Sequence, residues 1–375
     1  MDKLKIALVG AGNRASGAYA PTIATLDDDL EFVAVCDVVA EKAEALAQKY
    51  NVPAFTDVVE MVEKTKPDIA AVVITPSRNH EAGIPLSEHG VSYCTETPID
   101  TDLGWADKMI ATAKENNTKL EVCENYYRVP GERIKRALIL EGVFGKILTA
   151  YNDFNGHGYH GVGLIRSYIG FDVEAVRVIG MTKNFTVQEH LFRRGQPVRS
   201  DENWQHGLIE FENGSVGVFN FSSLSYGSPL RWYNTSKFYG ERGMCVGDGQ
   251  RGWTGNEKIA ILNDEADARL PIVVERRTTQ AKDGTEVLDA LIARTDPDTG
   301  LEVVWKNPLS HYPLSDGQLS VASEIMSIAN AVRNDTEPEY GAENGRKDRE
   351  IDLAIFQSAR NNNQPVELPL PVEPR

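Results

Sequence analysis

The chain has 375 residues, 41% of them apolar, which is enough for two domains that each bury a core. Its formal net charge of −16 argues against nucleic acid or an anionic membrane surface as a partner. Its four cysteines are far apart, which predicts reduced thiols in a cytoplasmic protein rather than disulfides or a zinc site. The first strand begins directly after residue 3 and no apolar run reaches transmembrane length, so we expect neither a signal peptide nor a membrane partner.

The first predicted strand ends in a glycine-rich turn. The segment 4–14 reads LKIALVGAGNR, in which the apolar run stops at Gly10 and Gly12 follows. Gly10 allows a tight bend, Gly12 lets the backbone approach a pyrophosphate, and a helix starting there offers N–H groups and a positive dipole end. A second apolar run, 32–36, ends at Asp37, about twenty residues later, where a carboxylate binds the ribose hydroxyls and repels a 2′-phosphate. The pattern predicts NAD rather than NADP; the alternative is a turn and a strand-end acid without a ligand.

Strands and helices alternate up to about residue 124. Predicted helices cover 41–50, 57–64, 79–89 and 101–117, and further predicted strands cover 69–74, 92–95 and 120–123. Alternation of this kind predicts an α/β fold with a doubly wound parallel sheet, whose ligands lie beyond the carboxyl ends of the strands. The residues at these ends that we predict to bind the cofactor are Gly10, Gly12, Asn13, Arg14, Asp37, Thr75, Pro76, His80, Glu96 and Asn125.

The pattern changes after a predicted helix at 131–140. Predicted strands then cover 146–154, 174–181, 205–212, 215–222, 235–239, 258–262, 271–277 and 301–305. Few helices interrupt them, so the pattern predicts a large, mostly antiparallel sheet in a separate α+β domain, with one face open for oligomer contacts. Helices are predicted at 319–334 and 345–361. The domains are expected at 1–124 and 125–375, and the last helix can pack back on the first domain.

Several motifs, in their order and spacing, resemble the Gfo/Idh/MocA oxidoreductases. They are VGAGNR at 9–14, ITPSRNH at 74–80, TETP at 95–98, NYYRVP at 125–130, EGVFGKI at 141–147 and the ending from 337 to 369. The resemblance implies an N-terminal Rossmann domain, an open-faced sheet domain, a nicotinamide cofactor and a sugar or cyclitol substrate. It also implies a homodimer or homotetramer formed through the open sheet.

The chain departs from this family at two positions. Family members usually have Glu-Lys-Pro after the fifth strand, whereas here Thr97 stands between Glu96 and Pro98. The family also has an aspartate followed four residues later by a histidine, and the corresponding positions here are Gly156 and His160. Two of the three usual catalytic residues are therefore absent.

We hypothesise that His160 is the general acid and base. A histidine with an ordinary pKa of about 6.5 can take the hydroxyl proton as the carbon loses hydride. His157, Tyr159 and Thr97 are then the groups that position the substrate. The glycine-rich stretch GHGYHG offers neither histidine an evident packing role, which favours a functional one. The alternative is a metal site formed by Asp153, His157 and His160, although no metal is expected.

Four further residues are expected to contact the substrate: Tyr126, Arg128, Arg166 and Trp232. The sequence thus predicts a cytoplasmic, NAD-dependent oxidoreductase that moves a hydride from or to a secondary hydroxyl carbon of a sugar, cyclitol or related polyol. One alternative is a redox-neutral enzyme that oxidises a sugar transiently and so cleaves or isomerises a glycoside. A second alternative is a dinucleotide-binding protein without catalysis.

Overall fold

The computed structural model describes residues 2–191, 198–225, 228, 234–247, 258–263, 268–295 and 300–375. Two sheets organise these residues, a six-stranded sheet followed along the chain by an 11-stranded sheet. The first is parallel throughout and the second is mostly antiparallel. The predicted fold class is confirmed.

The first sheet is built from alternating strands and helices. Its elements are β1 (Leu4–Val9), α1 (Ala20–Thr25), β2 (Leu30–Cys36), α2 (Ala40–Tyr50), β3 (Ala54–Phe55), α3 (Val58–Thr65), β4 (Ile69–Val72), α4 (Asn79–Glu88), β5 (Ser92–Thr95), α5 (Leu103–Glu115) and β6 (Leu120–Val122). The strand order is β3-β2-β1-β4-β5-β6. Since the order reverses between β1 and β4, a crevice opens at the carboxyl ends of these two strands.

The second sheet begins after α6 (Pro130–Leu140). Its elements are β7 (Ile147–Asp153), α7 (Gly158–Ile169), β8 (Ala175–Leu191), β9 (Val198–Phe211), β10 (Val216–Ser222), β11 (Thr235–Gly240), β12 (Gly243–Val246), β13 (Lys258–Asn263), β14 (Ala268–Gln280), β15 (Glu286–Arg294), β16 (Glu302–Lys306), α8 (Asp316–Asn334), α9 (Ala342–Arg360) and β17 (Val366–Glu367). The strand order is β16-β15-β14-β13-β12-β11-β7-β10-β9-β8-β17, and β7 and β10 pair in parallel. The sequence patterns predicted neither β12 nor β15, and they named no helix at α7.

The two last helices connect the sheets. Helix α8 packs against β5, β6 and α1, whereas α9 lies against β8 and α7 and also contacts α5 and β6. The approach of α9 to β8 is close, because a Cβ added to Gly180 would lie 2.1 Å from the carbonyl oxygen of Ile355. On its other side, a Cβ added to Gly345 would lie 2.6 Å from the side chain of Val122. The last helix therefore packs on both sheets.

The other face of the second sheet is more open. Tyr151, Val218 and Leu208 are register partners across β7, β10 and β9, and none of the three is fully buried. Leu148 and Tyr239 are also exposed on neighbouring strands.

The four cysteines are buried and unbridged. In the part of the chain that the structure describes, no helix is both long enough and apolar enough to cross a membrane.

Candidate active site

A cavity of about 540 Å³ lies at the reversal point of the first sheet. Gly10 has φ +105°, and a Cβ there would lie 2.2 Å from the carbonyl oxygen of Val73. A Cβ at Gly12 would meet no atom within 4 Å, so the turn presents bare backbone to the cavity. The Asp37 carboxylate accepts the Ala11 N–H at 2.7 Å, which holds the acid beside the turn. The cavity thus combines a glycine cradle with a carboxylate, as an adenine dinucleotide requires.

The cavity wall contains many of the predicted cofactor residues. Gly10, Gly12, Asn13, Arg14, Asp37 and Thr75 line it. Pro76 begins a short 3₁₀ turn directly after Thr75. His80 does not line this cavity. Its Nδ1 is 2.8 Å from Asp100 Oδ2 and its ring stacks on Trp105, so it contacts the segment that follows β5.

Arg14 separates this cavity from a second one. Its Nε donates to Glu96 Oε1 at 2.6 Å, and its side chain lines both cavities. The second cavity has a volume of about 270 Å³. Its other polar lining residues include Asn125, Tyr126, Asn155, Asp316 and Ser320. The Arg14–Glu96 pair therefore lies where the two cavities adjoin.

The structure brings together the four residues predicted to take part in catalysis. His160 lies in the first turn of α7 and is 8% exposed, with Nε2 3.5 Å from Thr97 Oγ1. The Tyr159 hydroxyl lies 3.3 Å from His157 Nε2, and both rings contact the His160 ring. Burial raises the pKa of Tyr159 well above its usual range, so this phenol stays protonated and can donate a hydrogen bond. Thr97 directly follows Glu96, which places this cluster beside the cofactor cavity.

Sequence reasoning missed Glu124. This residue follows β6 and is 1% exposed, and its Oε2 lies 2.6 Å from His160 Nδ1. The predicted sites began at Asn125, one residue further on. A signal was available, because Glu124 is an acid at the carboxyl end of a parallel strand, where such sheets place their ligands.

Two predicted substrate contacts are corrected by the structure. Arg128 is buried, its charge paired with Glu121 and its Nε donating to the Tyr127 hydroxyl. Arg166 is also buried, with Nη1 2.7 Å from Asp348 Oδ1. Both guanidinium groups are buried against carboxylates and neither lines the first or the second cavity, so neither residue is placed to contact a substrate there.

The two remaining predicted substrate contacts are Tyr126 and Trp232. Tyr126 lines the second cavity and stacks on the His160 ring, with 4.5 Å between centroids. Trp232 lies outside the described residues.

The alternative metal site is not assembled, because Asp153 Oδ2 is bound to Lys237 at 2.8 Å and its Oδ1 accepts from Asn220. Among the described residues, no group of three or more potential metal ligands is found.

Comparison with known proteins agrees with this geometry. Residues 4–124 match the family model described as "Oxidoreductase family, NAD-binding Rossmann fold", named for Gfo, Idh and MocA. Residues 4–124 thus form a Rossmann domain of the Gfo/Idh/MocA oxidoreductase family. This domain binds NAD, and the glycine cradle and Asp37 fit that cofactor.

Proteins similar to this chain include enzymes named for carbohydrate substrates. D-glucoside 3-dehydrogenase of Escherichia coli is 29% identical over 241 residues, which cover 57% of this chain and 68% of that protein. The 2,7-anhydro-N-acetylneuraminate hydratase of Mediterraneibacter gnavus is 29% identical over 158 residues, 42% of this chain and 41% of that protein. The solved structure of levoglucosan dehydrogenase with NADH and levoglucosan shares the fold, with a TM-score of 0.72 at 18% identity, and the match covers 98% of this chain and 100% of that one.

We expect Asp37→Ser to weaken NAD binding and to reduce the preference for NAD over NADP. The change removes a charged acceptor for the ribose hydroxyls, and this loss should weaken the affinity for NAD about tenfold or more. It also removes the repulsion of a 2′-phosphate. Calorimetric titration with both cofactors measures the two effects.

Asp57→Asn is the matched control for this substitution, because Asp57 lines the same cavity and its side chain caps α3, which asparagine can also do. The control removes one negative charge from the cavity and should leave the preference unchanged. If both variants lost the preference for NAD over NADP to the same extent, the preference would come from the general negative charge of the cavity rather than from Asp37.

Glu324 on α8 provides a test of pH-dependent stability. The side chain is fully buried, it accepts the Tyr19 hydroxyl at 3.2 Å, and burial raises its pKa from 4.5 to about 8. Because the folded state binds the proton more tightly, this group contributes most below pH 4.5 and the contribution is lost as the pH rises through about 8.

We expect Glu324→Gln to remove that pH dependence, because glutamine imitates the neutral acid. From acid to alkaline pH, the free energy of unfolding should fall less in the variant than in the unmodified protein. The difference between the two changes should be about 1 kcal/mol or more. Denaturant unfolding at a series of pH values measures it. Parallel stability profiles for the two proteins would show that Glu324 is ionised in the folded state.

Proposed function

We propose that the protein oxidises a secondary hydroxyl of a neutral sugar, cyclitol or related polyol, or reduces the corresponding ketone, with NAD as the redox partner. The observation that carries the proposal is the position of His160. Its Nδ1 is held by Glu124, its Nε2 faces Thr97, and Thr97 adjoins the residue that pairs with Arg14 at the cofactor cavity. A proton acceptor therefore lies next to the place where a hydride acceptor binds.

Bound NAD supplies the hydride acceptor for the carbon that is oxidised. In that direction His160 Nε2 takes the hydroxyl proton as the C–H electron pair leaves and the C=O bond forms. In the reverse direction the imidazolium returns the proton to the oxygen. Tyr159, which stays protonated, and Thr97 hold the reacting oxygen by hydrogen bonds, and His157 orients the Tyr159 hydroxyl.

Charge around the cluster favours a neutral substrate. Three cations around it are each bound to a carboxylate: Arg14 to Glu96, Arg166 to Asp348 and Arg349 to Asp352. In the part of the chain that the structure describes, the two carboxylates that line the second cavity, Glu132 and Asp316, are bound to Lys135 and Arg276, and the remaining polar lining groups are amides and hydroxyls. Such groups suit the hydroxyls and C–H faces of a polyol.

We further propose that residues 1–124 and 125–375 form the cofactor and substrate domains and that copies of the chain assemble through the open face of the second sheet. Leu148, Leu208 and Tyr239 support the latter, because they expose apolar surface on this sheet. A cytoplasmic location is supported by four cysteines that remain unbridged.

A substrate panel tests the proposal. The protein is incubated with NAD and with a set of neutral sugars, cyclitols, glycosides and their uronic acid counterparts, and both NADH absorbance and products are followed. Steady NADH formation with a neutral member supports the dehydrogenase. A strict preference for the uronic acids would contradict the neutral substrate class.

A redox-neutral enzyme is the second candidate, and two observations favour it. One relative is named a hydratase of an anhydro sugar. In addition, Thr97 replaces the usual lysine in the same site. Conversion of a glycoside with catalytic amounts of NAD and without NADH accumulation would select this function. The non-catalytic alternative is set aside, because the relatives named above are enzymes.

A further inference from the structure

The contacts of Glu124 fix the orientation of the His160 ring. Glu124 Oε2 lies 2.6 Å from His160 Nδ1, and Oε1 accepts the backbone N–H of Tyr126 at 3.0 Å. Beside an ionised Glu124 carboxylate, which can only accept hydrogen bonds, Nδ1 carries the proton and Nε2 presents its lone pair toward Thr97. The Tyr126 ring covers one face of the imidazole at 4.5 Å. Thus both the plane of the ring and its tautomer are determined by the segment 124–126.

A glycine in α7 makes room for this carboxylate. Gly163 lies about one helical turn after His160, and a Cβ added there would be 3.2 Å from Glu124 Cγ and 2.6 Å from Asp348 Oδ2. Any larger residue would press against the buried acids. The arrangement therefore depends on the shape of α7 as well as on the residue that follows β6.

We propose that Glu124 is a positioning residue that keeps Nδ1 of His160 protonated and stabilises the imidazolium formed when Nε2 takes the substrate proton. This inference rests on the role proposed above for His160. Thr97 brings no charge to the substrate hydroxyl, so the hydroxyl keeps its ordinary acidity. An anion 2.6 Å behind the histidine makes the base stronger, which compensates for the missing cation.

Other titratable groups face this pair from every neighbouring element. They are His157 and Tyr159 on α7, Glu96 after β5, Glu324 on α8, Tyr340 before α9, and Asp348 and Asp352 on α9. Burial raises the pKa of Asp348 and of Asp352 to about 6. Since these acids also titrate near neutrality, the contribution of Glu124 must be measured as a difference between two proteins that share them.

The test compares the intact protein with Glu124→Gln, using NAD and an active polyol. Glutamine keeps the shape and can accept from Nδ1, but it carries no charge. We expect kcat for oxidation to fall about tenfold or more, with little change in KM, and the acid limb of the kcat/KM profile to move about one unit toward lower pH. Glu324→Gln is the control: burial raises the pKa of Glu324 to about 8, so this acid is already largely neutral where the acid limb lies, and kcat and the acid limb should be unchanged.

Nitrogen NMR of the intact, cofactor-free protein gives a second readout that does not require Glu124→Gln to fold. The His160 signals, assigned by their loss in His160→Asn, should show the Nδ1–H tautomer in the neutral ring and a titration midpoint above that of an ordinary histidine. An Nε2–H tautomer, or identical pH profiles for the intact protein and Glu124→Gln, would overturn the inference. Full activity in His160→Asn would instead overturn the proposed function, so the two failures are distinguishable.

Discussion

His160→Asn should lower kcat about 10³-fold, because asparagine can position the substrate but cannot take or return its proton. NAD affinity should change little, since His160 does not line the 540 Å³ cavity. Steady-state kinetics together with calorimetric titration of NAD measure both quantities. His89→Asn is the matched control, because His89 directly follows α4, is exposed, and has its Nδ1 2.8 Å from the carbonyl oxygen of Pro85.

The control variant should turn over substrate at the normal rate. If His160→Asn did so as well, His160 would be a structural residue and the proton would have to go to another group of the cluster. Loss of NAD binding along with activity would point instead to a collapsed site.

The second large effect is expected at the glycine turn. Gly10→Ala should lower the free energy of unfolding by about 2–4 kcal/mol, because alanine is strained at φ +105° and its Cβ would overlap the Val73 carbonyl. Denaturant unfolding measures this loss. Gly12→Ala is its counterpart, because its Cβ meets no protein atom within 4 Å.

Gly12→Ala should therefore fold with nearly unchanged stability and yet bind NAD more weakly, since the new methyl group occupies the space that the pyrophosphate needs. Calorimetry separates the two variants: one loses stability, and the other loses affinity. Unchanged NAD affinity in Gly12→Ala would mean that the dinucleotide does not lie over this turn.

The first half of the chain was largely predictable because its strands are buried on both faces. Continuous apolar runs mark such strands, and the glycines and acid that follow them mark the cofactor cavity, which is why β1, Gly10 and Asp37 were found. The boundaries differ by only a few residues. Strand β4, for example, ends at Val72 rather than at residue 74.

The second half was less predictable, because a sheet with one open face carries a weaker pattern. β15 has a long run of buried apolar residues, but it lies between two segments of polar sequence and gave no clear alternation. Helix α7 contains three glycines, residues of low helix propensity, and tertiary packing on α9 and β7 overrides this preference.

The candidate site shows a further limit of sequence reasoning. His160 could be identified from its motif, whereas Glu124 is 36 residues earlier and meets it only through the fold. Arg128 has the position of a ligand contact, but the acid that binds it, Glu121, lies on the buried strand β6. Such partners are set by three-dimensional packing, so the sequence reveals the candidates but not which of their charges are already bound.

The docking of α8 and α9 on the first sheet affects how the chain can fold during its synthesis. The Val122 N–H of β6 donates to the carbonyl oxygen of Tyr340, and the Val122 side chain lies against Gly345. Both partners come more than two hundred residues later in the chain. A ribosome-bound nascent chain that has emerged only to residue 124 would therefore expose apolar surface that its own helices do not cover. We expect this first third of the chain to await the carboxyl terminus, or the protection of a chaperone, before it becomes stable.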